Sequence, residues 1–210
     1  MGKEDKNENQ IRSKMVVYLS LPTPFTQIMG RLGILRKLIG YLYSKYGLKS
    51  FRTKIEGSFM YFPKDDVSLA LLMTAGLYEK SLKAFIHSFI KRGMIVVDIR
   101  AGFGDYTVLF AKLVGNRGKV HAFEPIPLRY NFLLANVIAN KLTNVFVNNL
   151  GISNRSGLSK FYVHGETSSL VYKKGLQDVI YVNTITLDEY FGRQREAEKV
   201  DLIKNRRGWC

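Results

Sequence analysis

The rhythm of apolar and polar positions changes along the chain. Residues 1–14 are polar and charged and predict no ordered element. Over residues 21–47, Ile28, Leu32, Leu35, Leu38, Ile39 and Leu42 fall roughly on one side at helical spacing. Arg31, Arg36, Lys37 and Lys45 are interspersed, and Gly47 is placed to end the helix. This predicts a basic amphipathic helix packed on its own domain. Residues 53–62 predict a short hairpin turning near Gly57. Residues 66–92 predict one or two helices with a break at Gly76.

From residue 94 the pattern becomes that of buried strands alternating with helices. MIVVDI is a short β-branched apolar run, as expected of a parallel strand covered on both faces. A glycine-rich loop follows, then a helix through TVLFAKLV stopped at Gly115. KVHAFEP is a second strand, Pro127 opens a second helix, and TNVFVNNLGI is a third strand. Short links in a β-α-β-α-β order predict the first half of a doubly wound α/β sheet. Beyond residue 153 the alternation of LSKFYVHGE and DVIYVNTIT predicts antiparallel strands. Residues 187–190 predict a short helix, and Val200 to Lys204 a fourth parallel strand.

Composition narrows the classes little. The 210 residues are 46% hydrophobic and 12% aromatic, enough for a globular core. The formal net charge of +15 attracts polyanions, whether nucleic acid, anionic lipid or phosphorylated substrates. The lone cysteine, Cys210, admits no internal disulfide, and no apolar run reaches membrane-spanning length. With no signal core near residue 1, these features fit a cytoplasmic protein. His87, His121 and His164 lack metal-ligand spacing, so no metal site is expected.

The candidate chemistry lies in the loop after the first parallel strand: Asp98, Ala101, Gly102, Phe103 and Gly104. Glycines there allow close backbone approach to a ligand, and the helix that follows favours a negative group at its start. Glu124 ends the next strand, where an acid can accept hydrogen bonds from both hydroxyls of a ribose. Asp188 is read as capping or orienting a helix, and no Ser-His-Asp arrangement is present.

At this point the sequence resembles a family. D-I-x-A-x-x-G-x-Y-T, then G-x-V-x-A-F-E-P-x-P, the N-x-x-x-N-K-L-x-N-V segment, Thr186 to Asp188 and the strand DLIK look like the FkbM-type S-adenosylmethionine-dependent methyltransferases. GLYEKSL, Gly76 to Leu82, resembles the family's segment before the glycine loop, and the likeness covers roughly residues 70–204. The resemblance implies a class I methyltransferase sheet of Rossmann-like order, incomplete here and preceded by a helical extension. It divides the chain into residues 1–65, tail and basic helix, and 66–210, the methyltransferase domain. It implies S-adenosyl-L-methionine as cofactor and O-methylation of a sugar or natural-product hydroxyl. Asp98, Ala101, Gly102 and Gly104 would line the methionine end, Glu124 would hold the ribose, Pro125 and Ile126 would flank the adenine, and Glu79 would lie near the amino group. No catalytic residue is assigned.

Two departures stand out. Arg100 occupies the position of a family glycine and is expected to impair the site, the alternative being a salt bridge to the cofactor carboxylate. After Lys204 the family continues I-D-x-E-G, whereas this chain reads Asn205-Arg206-Arg207-Gly208-Trp209-Cys210. That change suggests a shifted reading frame and removes acids that border the active site. The outer edge of the fourth strand is then expected to be unpaired and the chain marginally stable. Two rival readings rest on the charge. One is a nucleic-acid-binding or RNA methyltransferase module, disfavoured because the basic residues are scattered without an RNA-binding signature. The other is a non-catalytic membrane-peripheral protein using the 21–47 helix.

Overall fold

A computed structural model describes residues 16–19, 50–63, 66–164, 167–169, 178–193 and 199–206. The expected polar tail, the 21–47 helix and the last four residues lie outside the described residues. Among the described residues, no helix is long and apolar enough to cross a membrane.

The centre is a five-stranded, all-parallel sheet. Its strands are β1 (Val16–Leu19), β4 (Ile95–Ile99), β5 (Lys119–Phe123), β6 (Val145–Asn148) and β11 (Leu202–Arg206), in the order β1-β11-β4-β5-β6. Between them run α3 (Asp105–Val114), after β4, and α4 (Pro127–Ala139), after β5. The β-α-β-α-β order expected from the sequence therefore holds. The last strand begins two residues later than its apolar run suggests, at Leu202, with Val200 buried just ahead of it.

One expectation is overturned. The outer edge of β11 is not unpaired: Val16–Leu19 adds a parallel strand there, with Val16 opposite Ile203 and Leu19 opposite Arg206. A four-residue β-branched and aromatic run can serve as an edge strand. Its backbone occupies hydrogen-bonding positions that would otherwise invite another chain.

Alternation along the sheet sorts two cores. Val96, Val120 and Leu202 face a large cluster with Met60, Phe62, Leu72, Tyr78, Tyr106 and Phe110. Val97, Ile99, Phe123 and Ile203 face a second, with Ile185, Phe191 and Val200. The first cluster draws in the hairpin β2 (Ser50–Ile55) and β3 (Ser58–Pro63) and the helices α1 (Val67–Thr74) and α2 (Lys80–Phe89). The hairpin turns at Glu56 and Gly57, both at positive φ (48° and 72°), as a two-residue turn requires. Gly76, at φ 67°, separates α1 from α2.

The antiparallel layer holds β7 (Gly151–Ile152), β8 (Gly157–His164), β9 (Thr167–Ser169) and β10 (Asp178–Ile185), in the order β7-β10-β8-β9. The predicted third strand thus divides: Val145–Asn148 stays in the parallel sheet, while Gly151–Ile152 crosses to pair with β10. The helix α5 (Leu187–Gly192) is capped by Thr186, whose hydroxyl accepts from the Glu189 N–H at 3.0 Å. Thr186 rather than Asp188 caps this helix, and Asp188, expected to cap or orient a helix, is one of two acids in its first turn.

Gly118, in the turn between α3 and β5, is closely hemmed in. A Cβ there would lie 2.5 Å from Val114 Cβ and 2.6 Å from the Met94 carbonyl oxygen. Gly118→Ala is expected to destabilise the chain by about 1–3 kcal/mol in urea unfolding, because neither neighbour is a flexible side-chain tip. An unchanged midpoint would show that the turn can move aside.

Candidate cofactor site and its buried ion pair

The strand ends of β4, β5 and β11 converge at the loop between β4 and α3. Asp98 and Lys204 are direct neighbours in the sheet register. Their side chains meet at 2.7 Å, with 0% and 2% exposure. The other Asp98 oxygen accepts from the Thr107 hydroxyl at 2.6 Å, which ties the strand to the first turn of α3. The Lys204 ammonium also lies 4.9 Å from the centre of the buried Tyr106 ring. The Tyr106 hydroxyl donates to Glu79, a residue at φ 48° just before α2. Burial, with the adjacent Glu79 and Asp105 carboxylates, pushes the Tyr106 phenol far above its usual range. A network therefore runs from the half-buried Glu79 through the buried Tyr106 and Lys204 to Asp98 and Thr107.

The loop is shaped by left-handed backbone. Arg100 has φ 59°, Gly102 φ 62° and Gly104 φ 90°. Ala101 N–H donates to the Phe123 carbonyl and Gly104 N–H to the Ala101 carbonyl, each at 3.0 Å. A Cβ on Gly104 would lie 2.5 Å from Leu133 Cδ1, so glycine answers both a conformational and a spatial demand there.

Glu124 closes the loop from the neighbouring strand. One carboxylate oxygen accepts from Gly102 N–H at 2.8 Å and the other from Ile126 N–H at 3.0 Å. Burial pushes this carboxyl above the usual carboxylate range, against the pull of the Ile126 amide, Arg129, the Gly102 amide and Arg100. Asn149 donates to the carbonyls of Glu124 and Pro125 at 2.9 and 3.2 Å, fixing the chain as it leaves the strand. Pro125 is itself buried.

The structure thus brings Ala101, Gly102, Gly104, Glu124 and Pro125 together where the loop after β4 meets the end of β5. Asp98 and Glu79 join through the network beneath it. The Phe103 backbone belongs to the loop, but its ring points into the core, edge-on to Phe62 at 5.6 Å. Lys204, Tyr106 and Thr107 were not singled out from the sequence. The available signal was register: a lysine ending an apolar strand, on the face where alternation also puts an aspartate of the adjacent strand.

A sequence profile described as the methyltransferase FkbM domain matches residues 98–204. The chain belongs to the FkbM methyltransferase domain family. The matched span begins and ends on the two residues of the buried ion pair. Among solved structures, a SAM-dependent methyltransferase from Aquifex aeolicus is 38% identical over 33% of this chain and 35% of its own, with a TM-score of 0.29. TYW2 of M. jannaschii, solved in complex with AdoMet, is 28% identical over 49% of this chain and 43% of its own, with a TM-score of 0.38. The chain therefore spans less than half the length of either structure, and the family assignment rests on the profile. No curated protein matches the chain.

Against the FkbM pattern of the resemblance, Arg100 stands where glycine is expected. The structure puts that residue in the left-handed region, where a long side chain is strained by about 1–3 kcal/mol. Its positive charge lies close enough to act on Glu124.

Two outcomes follow from this geometry. Lys204→Met is expected to cost about 3–5 kcal/mol, because Asp98 is left buried without its counter-charge. The double variant Asp98→Asn/Lys204→Met recovers much of that loss in a double-mutant cycle, whereas strict additivity would contradict the coupling. Arg100→Gly is expected to gain up to about 1 kcal/mol, since relief of backbone strain exceeds the added entropy of the unfolded chain. Denaturant midpoints check both.

Proposed function

We propose that this chain binds S-adenosyl-L-methionine in the crevice above β4 and β5 and serves methyl transfer to a hydroxyl of a sugar or natural product, with Arg100 weakening the binding. The observation that carries the reading is Glu124: a buried carboxylate at the end of β5, joined across the crevice to the Gly102 amide. Two backbone amides occupy part of its accepting capacity, leaving lone pairs for the two hydroxyls of a ribose. Gly102, where an added Cβ would meet nothing within 4 Å, leaves open backbone against which the methionine end can lie.

The electrostatics suit a ligand with a positive sulfur centre. Asp98 is neutralised by Lys204, so this pair adds no net charge, and Glu79 accepts a hydrogen bond from Tyr106 and forms no ion pair among the described residues. The cofactor supplies an electrophilic methyl group on a sulfonium. The chain's own residues orient it against the acceptor, which accounts for much of the rate of such displacements. The FkbM membership and the crevice support methyl transfer. The hydroxyl acceptor follows the characterised habits of the family resemblance.

Isothermal titration with S-adenosylhomocysteine tests the reading. Arg100→Gly is expected to bind at least about tenfold more tightly than the natural chain, a difference of about 1.4 kcal/mol. Glu124→Ala is expected to abolish that gain. Absence of binding by both the natural chain and Arg100→Gly would remove the proposal.

The raised Glu124 pKa sets a pH direction. Its contribution to fold stability is fullest below the unfolded carboxylate pKa and is lost as pH rises through the higher folded value. Ribose binding needs the ionised acceptor and runs the other way: affinity should fall as pH drops through that raised pKa. Glu124→Gln should bind weakly with no such slope, and a natural chain with flat affinity from pH 7 to pH 4 would contradict this role.

A further inference from the structure

Helix α4 holds the hairpin by an unusual device. Tyr61 N–H donates to Asn136 Oδ1 at 2.7 Å, and Asn136 Nδ2 donates back to the Tyr61 carbonyl at 3.0 Å. One turn along, Phe59 N–H donates to Asn140 Oδ1 at 3.0 Å, and Asn140 Nδ2 donates to the Phe59 carbonyl at 2.6 Å. Residues four apart on a helix rise about 6 Å, and alternate residues of a strand advance about 6.5 Å. The two asparagine amides thus imitate alternate peptide groups of a further strand along the free edge of β3.

Asn136 does one thing that Asn140 does not. The remaining hydrogen of its amide nitrogen donates to the Phe103 carbonyl at 2.8 Å. Phe103 lies between the two left-handed glycines of the loop, and its ring meets Phe62 of the hairpin and Phe132 of α4 edge-on, at 5.6 and 5.9 Å. Asn136 is fully buried, with both amide hydrogens and its oxygen engaged.

We infer that Asn136 is a positioning residue for the cofactor loop and makes the loop's geometry depend on docking of the 50–63 hairpin. The hairpin reaches the loop twice, once through this amide and once through the Phe62–Phe103 ring contact. A hairpin that leaves α4 therefore removes two of the three hydrogen bonds that orient the Asn136 amide against the Phe103 carbonyl, together with one wall of the Phe103 ring. Phe103 acts on the cofactor through its backbone, while its side chain acts as the sensor of the hairpin. The inference rests on the proposed cofactor site, but the coupling itself can be read without any ligand.

The test is amide hydrogen exchange on the full chain, comparing Asn136→Leu with Asn140→Leu. Both variants cut one two-point hold on β3, and only the first touches the loop. Asn136→Leu is expected to speed exchange at Gly102 and Gly104 at least tenfold more than Asn140→Leu. Equal loop exchange in the two variants overturns the inference. Should Asn136→Leu fail to fold, native-state exchange of the natural chain across a denaturant series decides. The Tyr61 and Gly104 amides should merge into one opening below global unfolding. Separate openings, or a merger only at the global limit, overturn it. Where ligand binds, saturating S-adenosylhomocysteine should slow Tyr61 exchange, since coupling between sites is reciprocal. Unchanged Tyr61 exchange under saturation also counts against the coupling. Failure to bind at all defeats the proposed function and leaves the ligand-free exchange comparison to decide the coupling.

Discussion

Everything at the centre of this molecule depends on one ion pair, Asp98 with Lys204. The two residues sit opposite one another on adjacent parallel strands, Lys204 in the middle of β11 and Asp98 one residue before β4 ends at the loop. Burying either charge alone is costly, so each makes the other's position nearly obligatory. Thr107 extends the pair to the helix after the loop, and Tyr106 roofs the ammonium. A strand, a helix and a more distant strand thus share one electrostatic condition. It is met only when β11 is in register with β4, which makes the pair a specifier of register as well as a source of stability.

The loop beside this pair is tied to the end of β5 by its own hydrogen bonds. Glu124 is anchored by two backbone amides, and the Gly102 amide is one of them. Such prior bonding reduces what a ligand must organise, since the acceptor is already aimed and the loop already bent. The same prior bonding gives Arg100 its importance. A cation whose field reaches Glu124, on a backbone that prefers glycine, bears on both the conformation and the charge of the loop.

Much of the parallel core was legible in the sequence, for physical reasons. The β-branched runs, the glycine stop at Gly115 and Pro127 at the start of α4 are local signals that tertiary packing did not contradict. What stayed hidden depends on distant partners. Val16–Leu19 is too short a run to declare itself, and it becomes a strand only because β11 offers an open edge. Asn136 and Asn140 were visible as part of a spaced motif. Their role requires knowing that the edge of β3 passes alongside. The apolar alternation of VDLIK shows a buried position at Lys204, yet only the register with β4 reveals what neutralises it. The split of the third strand between two sheets was similarly concealed, since its apolar pattern continues through the break.

The placement of β1 beside β11 has a consequence for the order of assembly. These strands are separated by nearly the whole described chain, so pairing them closes the largest loop in the fold. The entropy of that closure is recovered only after the intervening strands and helices have condensed. β11 must find β4 before β1 has an edge to recognise. Closure entropy alone therefore favours late formation of the outer strand. Nascent chains consequently carry Val16–Leu19 unpaired throughout synthesis of everything between.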